Sequence, residues 1–477
     1  MTATTSAFVS ITDHGAHPGA KCTQAIQAAI DKVAATGGTV YVPPGRYESG
    51  MIVLRSGVTL HVDPAATIVG SGDIADYPRN PKANTHEHDH HFLVYAEDAE
   101  DIAITGGGII DGNGPAFWDE PAPGRQWHRA RSPRVIPMLE FRRCRRLRLE
   151  NIRIHNSPGW TVHPFCCDDV TFRGVRVDNH MFGPNTDGFD IDGCRDVFIT
   201  DCHLRCGDDA IIIKATPQAR STERVVITNC ICHSNCIGIG IGQETESDVR
   251  QITVSNCTIY NSHRMFTIGI WNGGTVEDVT VTGLVGDTLD CFYLARPIQM
   301  EIKQHLKLPE RPLGAIRNVN ISNIVARTQG RILLTAQEGC FIENLTLRDL
   351  RLHYVALEDA DALSPPDGHT GSTQYANRNL EARRQNAAVV LENVRNLELD
   401  GLHVHWPTPG APSRCHGAPA DSGPDSGSKT DPAYSALWAR NVHRSRVHAP
   451  LCTASQAGHP VAVIEQCEDS DMVIGDR

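Results

Sequence analysis

The chain has 477 residues, 40% of them hydrophobic, and a formal net charge of −12. That apolar content excludes a globally disordered chain, and the acidic balance argues against nucleic acid or another polyanion as a partner, because neutralising phosphates takes Lys and Arg. Aromatics at 6% beside 41 glycines suit a turn-rich β protein, and no stretch reaches the roughly 18 apolar residues of a membrane span.

The first ten residues, Met1 to Ser10, hold neither a basic nor an apolar segment. No secretory signal is read there, and a cytoplasmic location is the expectation. The 16 cysteines then read as small buried thiols in a reducing compartment, and none recurs in pairs at zinc-ligand spacing. Residues 11–60 form an entry unit. Ala25, Ile26, Ala29, Ile30 and Val33 recur at helical spacing, which predicts a helix over 23–35 stopped by Gly37-Gly38. Thr39–Val42 and the following Pro43-Pro44-Gly45 read as a strand and a turn. A short amphipathic helix ahead of a β array is placed to cover the first exposed rung of the array.

From residue 93 to 406 the chain repeats short alternating apolar segments, many of them after Asn or Asp, such as Asp169-Val-Thr-Phe, Asp196-Val-Phe-Ile, Asn318-Val-Asn-Ile and Asn344-Leu-Thr-Leu. Val170, Val197, Val225, Ile252 and Val279 fall at steps of 27, 28, 27 and 27. A fixed period built from short strands without helices predicts an all-β parallel β-helix, whose stacked coils allow the whole chain to be one domain. Residues 72–92, 112–134, 355–390 and 407–436 interrupt the period and read as inserted loops that shape a groove. The Arg-rich run Arg142 to Arg148 alternates like a strand and reads as a solvated lateral face.

Residues 187–209 carry seven aspartates, and Asp187 precedes Asp208 and Asp209 by 21 and 22 positions. Nearly one coil apart, these three are expected on adjacent rungs about 4.8 Å apart, where crowded carboxyls hold one proton and leave another group ionised. That pairing suits glycosidic cleavage. Aspartates in solenoid turns also simply cap backbone groups, and spacing alone leaves the two readings open. Asp190, Asp192, Asp196 and Asp201 are read as turn residues.

Asn185-Thr-Asp187-Gly188 followed by Gly207-Asp208-Asp209-Ala-Ile-Ile-Ile-Lys214 resembles glycoside hydrolase family 28, the polygalacturonase family. Asp13-His-Gly-Ala, Gln24 to Ile30, Gly37 to Pro43, Gly106 to Gly112 and Asn156-Ser-Pro-Gly-Trp160-Thr-Val-His163-Pro164 agree with it in order, over roughly residues 8–350. The resemblance implies a right-handed coil and inverting hydrolysis of an α-linked sugar, with Asp208 as the acid and Asp187 and Asp209 activating the water. It implies no metal and no cofactor. Two basic motifs of the family are missing. Ile237 stands where its Gly-His-Gly motif has His, and Thr267-Ile268-Gly269, or Gly269-Ile270-Trp271, stands where Arg-Ile-Lys is expected. A uronate left without those cations would sit at a cost of a few kcal/mol.

The expected substrate is therefore a neutral or modified oligosaccharide, cut from its end, rather than plain polygalacturonan. Asn185, Trp160, His163 and Lys214 are expected to border it, with Gln243, Trp271, Asn272 and Arg296 in place of the missing motifs, helped by Gln299 and Glu301. His at 86, 88, 90 and 91 is read as a polar loop beside the groove rather than a metal site. Alternatives are a lyase, epimerase or glycan-transferring enzyme on the same fold, or a non-catalytic carbohydrate-binding solenoid. Oligomeric state is not legible.

Overall fold

The computed structural model describes residues 7–80, 89–271, 273–289, 295–304, 310–357, 380–408 and 432–475. The chain divides into two compact units, residues 1–235 and 236–477. In the first unit, parallel pairing builds three ladders. One runs through Ile52–Val53, Val94–Glu97, Leu139–Arg142, Val162–Phe165, Phe189–Asp192 and Ile211–Ala215. The second includes Arg145–Glu150, Asp168–Arg173, Arg195–Thr200 and Thr222–Thr228, and the third Arg153–His155, Arg176–Asp178 and His203–Cys206. Each coil takes one strand from each ladder, which makes the unit a parallel β-helix, right-handed as parallel crossovers are.

The period read from sequence is the ladder register. Val170 pairs with Val197 and Val197 with Val225, and all three side chains are fully buried. Stacking puts equivalent apolar residues one above another, at roughly 1.5–3 kcal/mol for each Val or Ile buried. The Asn and Asp before the repeats have a backbone cause. Asp101, Asp169, Asp196, Asp278, Asn318, Asn344 and Asn396 all sit at φ between 54° and 57°, in the left-handed region. Asn and Asp enter that region more easily than other non-glycine residues. A second series follows a few residues later: Asn151, Gly174, Asp201, Asn229, Asn256, Gly283, Asn323, Asp349 and Gly401, each left-handed and each at a bend of its coil.

In the second unit the second and third strands of each coil merge into long bent strands, such as Ala315–Thr328 and Ile342–Tyr354. There the left-handed residues also bond along the stack: Asn344 Nδ2 donates to Asn318 Oδ1 at 2.9 Å and Asn396 Nδ2 to Asn344 Oδ1 at 2.8 Å. Asn344→Ala is expected to lose about 1–2 kcal/mol, mostly from forcing a Cβ-bearing residue without a local acceptor into that conformation. Urea unfolding beside Asn344→Gly, which keeps the backbone freedom, is the check; equal stability of Ala and wild type would refute it.

The entry helix spans Thr23–Ala34 and buries Ile26, Ala29, Ile30 and Val33. It closes the open rim by hydrogen bonds as well as by apolar cover. Gln27 Nε2 donates to Val53 O at 3.1 Å while Val53 N donates to Gln27 Oε1 at 2.8 Å, so one side-chain amide replaces a missing strand.

The insertions share one corner of the coil, between third and first strands. In the first unit these corners are 71–93, 112–138, 156–161, 179–188 and 207–210; in the second unit they fall between Tyr354 and Ala387 and between His405 and Ser435, and residues 81–88, 358–379 and 409–431 of the insertions lie outside the described residues.

Candidate active site

Asp187 lies in the 179–188 corner and Asp208 and Asp209 in the next one. Their backbones are rung neighbours: Gly188 N donates to Asp209 O at 2.8 Å, and Thr161 N from the preceding corner donates to Asp187 O at 3.1 Å. Thr161 Oγ1 bonds the same carbonyl at 2.5 Å, and the buried Asn179 amide reaches Thr161 Oγ1 at 2.8 Å. The glycines of both motifs are steric necessities. A Cβ on Gly188 would stand 2.3 Å from Ala210 O, and one on Gly207 would stand 2.4 Å from Thr186 Oγ1. Ser234 Oγ donates to Asp208 O at 2.6 Å.

The three carboxyls differ in depth. Asp187 is 3% exposed, Asp209 is buried, and Asp208 is half-buried. Carboxylate oxygens of Asp208 and Asp209 come within 4.8 Å of each other. Burial, then the charges of Asp190, Asp208 and Asp209, push the Asp187 carboxyl well above the usual carboxylate range, against the pull of Lys214. Asp187 Oδ1 has no hydrogen-bond partner among the described residues.

Next to this corner, the first ladder turns alternate residues outward. Glu140 and His163 are paired across one rung and Asp192 and Lys214 across another. Two readings from sequence need correction here. Asp190 and Asp192 are not turn residues: they belong to strand Phe189–Asp192 and are fully buried. Arg142 does not lie on a solvated face: it is 4% exposed and its Nη1 donates to Glu140 Oε1 at 3.0 Å. The rest of the run behaves as read, with Arg143 and Arg146 on the surface, bridging Glu97, Asp98, Glu100 and Asp101. Asp201 sits at a left-handed bend, as expected, whereas Asp196, although left-handed, belongs to strand Arg195–Thr200.

His163, expected to border the groove, is fully buried between two carboxylates, with Nδ1 2.6 Å from Glu140 Oε2 and Nε2 3.5 Å from Asp192 Oδ2. Burial alone would lower its pKa, but Glu140 and Asp192 outweigh it and hold the imidazolium up to about 10. Asp192 also accepts from Thr216 N at 2.9 Å and Thr216 Oγ1 at 2.5 Å. Trp160 is half-buried, and the Lys214 ammonium lies 4.6 Å from its ring centroid and 4.0 Å from Asp190 Oδ1. Asn185 is exposed and accepts from Arg134 Nη2 at 3.0 Å. Arg134, missed from sequence, is buried; its Nη1 also donates to Pro158 O and Pro184 O, and burial lowers its pKa to about 10. Of the histidine run, His91 Nδ1 lies 2.6 Å from Tyr77 O and Asp89 accepts from Arg134 N at 2.9 Å, while His86 and His88 lie outside the described residues.

In the second unit, Thr267 pairs with Gln299 and Gly269 with Glu301 on the outward row of the first ladder. A Cβ on Gly269 would stand 3.4 Å from Gln243 Cγ, so the half-buried Gln243 side chain lies over that glycine. Trp271 is 6% exposed, with the Lys303 ammonium 4.7 Å from its ring centroid. Lys303 Nζ is 3.4 Å from Glu301 Oε2, and Arg383 pairs with the other oxygen of that carboxylate. Burial would raise the Glu301 carboxyl, but Arg383, Lys303 and Arg264 hold it down to about 2. Arg296, expected to reach a sugar, is instead fully buried and donates to Ala295 O at 2.8 Å. Asn272 lies outside the described residues.

The 14 described cysteines are free thiols. Those at Cys144, Cys167 and Cys194 stack, with Cys144 N 3.3 Å from Cys167 Sγ and Cys167 N 3.4 Å from Cys194 Sγ.

The profile of the family described as "Glycosyl hydrolases family 28" matches residues 35–360. A "Probable polygalacturonase" of Vitis vinifera is 26% identical over 331 residues, 64% of this chain and 65% of the relative. The chain thus spans less than two thirds of the length of the curated relatives it matches first. Among solved structures, an exopolygalacturonase of Thermotoga maritima matches at a TM-score of 0.62 and 23% identity, covering 73% of this chain and 88% of that one. A family 28 exopolygalacturonase of Yersinia enterocolitica matches at 0.67 and 16%, covering 98% and 79%.

Proposed function

Because the chain belongs to glycoside hydrolase family 28, we propose that it is a hydrolase cleaving an α-linked glycosidic bond with inversion, from the end of a neutral or modified oligosaccharide. The observation that carries this reading is the gathering of Asp187, Asp208 and Asp209 on adjacent corners. In the roles that the family motif implies, Asp208 gives a proton to the leaving oxygen as the C–O bond breaks. A water attacks the anomeric carbon from the other face and passes its proton to Asp187 or Asp209. The Asp187 carboxyl, raised by burial and by the neighbouring carboxylates, favours a second reading, in which Asp187 is the acid and Asp208 and Asp209 activate water.

The substrate preference rests on Thr267 and Gly269 in the outward row, where the family motif has cations, and on the engagement of Lys303 and Arg383 by Glu301. End-wise action is supported by the long corner 112–138, which folds over the corner that carries Asp187 through Arg134 to Pro184 O and Asn185 Oδ1. Reducing-end release from methyl-esterified pectin oligosaccharides is expected to exceed release from polygalacturonic acid by at least about tenfold in kcat/KM, the equivalent of about 1.4 kcal/mol. Equal cleavage of polygalacturonic acid, abolished by Asp208→Asn, would overturn the preference. Products absorbing in the ultraviolet would point to a lyase.

A further inference from the structure

The 112–138 corner is strapped to the corner that carries Asp187. His128 N donates to Phe182 O at 2.9 Å, and Arg134 reaches Pro184 O at 2.8 Å and Asn185 Oδ1 at 3.0 Å. Trp118 is the buried anchor, its Nε1 donating to Pro158 O at 2.9 Å. Around it, rings from the two corners meet edge to face: His128 and His180 at 5.0 Å between centroids, Trp127 and Phe182 at 6.0 Å, Trp118 and His180 at 5.8 Å. His180 is exposed, and Trp127, His128 and Phe182 are half-buried. The ring of His180 is fixed by its own loop, Nδ1 accepting from Phe182 N at 3.1 Å. The chain enters the acidic cluster directly from this wall: Phe182 is five residues before Asp187, and Gly207 packs on His180 O.

From this arrangement we infer that Trp127, Phe182 and His180 form a sugar-binding wall that takes a pyranose ring beyond the cleaved bond, on the side of the coils preceding the carboxylates. The inference rests on the hydrolase reading above. Half-exposed aromatic rings present flat apolar faces to the C–H face of a sugar, and an imidazole bonds hydroxyls. Edge-to-face packing and the two straps hold the wall ready before substrate arrives, which reduces the ordering cost of binding. An inserted loop used in this way makes affinity depend on oligomer length.

Pectin-derived oligosaccharides of two to six units, methyl-esterified, are the probe. Trp127→Ala and Phe182→Ala are expected to raise KM by roughly threefold to tenfold for four units and longer, and progressively less as the oligomer shortens, with Trp127→Phe restoring much of the loss. An unchanged melting temperature would separate this from unfolding. A length profile identical to wild type in both variants would overturn the wall. If the wild type cleaves none of these oligosaccharides, the hydrolase reading fails by itself. The wall is then read from tryptophan fluorescence: a sugar-dependent change lost in Trp127→Ala supports it, and no change in the wild type overturns it.

Discussion

Asp208→Asn is expected to lower kcat on a natural glycosidic bond by roughly 10²–10⁴-fold, with little change in the melting temperature, because Asp208 is the half-buried member of the cluster. Asp187→Asn is expected to match that loss. The two separate on an aryl glycoside with an acidic leaving group, which departs without protonation. If Asp208 is the acid, Asp208→Asn regains most of its activity on the aryl substrate and Asp187→Asn does not. The opposite pattern would exchange the roles, in the sense that the raised Asp187 carboxyl favours. Near-normal activity of Asp208→Asn on both substrates would remove the corner from the chemistry altogether.

His163→Gln is expected to be the most damaging change outside the carboxylates. It removes a buried cation from between Glu140 and Asp192, and breaking a buried pair costs about 3–5 kcal/mol. The pH dependence follows from the sign of the shift. The folded pKa of about 10 lies above the ordinary 6.5, so folding binds this proton more tightly. Its stabilisation is complete below pH 6.5 and is lost as pH rises through about 10. Thermal unfolding of the wild type from pH 6 to 10 is expected to fall more steeply than that of His163→Gln. Parallel curves would mean that the imidazole is neutral in the folded protein. The network also bears on function, since Asp192 and Asp190 share the strand that leaves Asp187.

Much of this was legible in the sequence because it repeats. The coil period, the entry helix and the left-handed Asn and Asp positions each follow from a local rule applied many times. The carboxylate trio was legible because its members stand almost one coil apart. Asp190 and Asp192 were misread because Asp is a turn former by propensity, and nothing local tells that an outward strand position is roofed by residues far away in sequence. Arg142 failed for the same reason: its neighbours Arg143 and Arg146 are solvated, while its own rung is covered. Arg134 and the histidine–tryptophan wall depend on one corner folding over another, a contact that no spacing encodes. His163 was readable as a residue near the groove; its burial in an ionic pair with Glu140 was not, because that pair depends on the neighbouring rung.

The shared corner of the insertions separates two kinds of constraint. Ladder strands answer to the strands above and below them, so a residue gained or lost within one would shift its side chains to the wrong face. Corner segments answer to no such register: 207–210 and 112–138 occupy the same position in their coils at very different lengths. The coil can therefore be inherited almost unaltered while the corners lengthen, shorten and change composition. In such a molecule the history of the scaffold and the history of substrate choice are written in different residues.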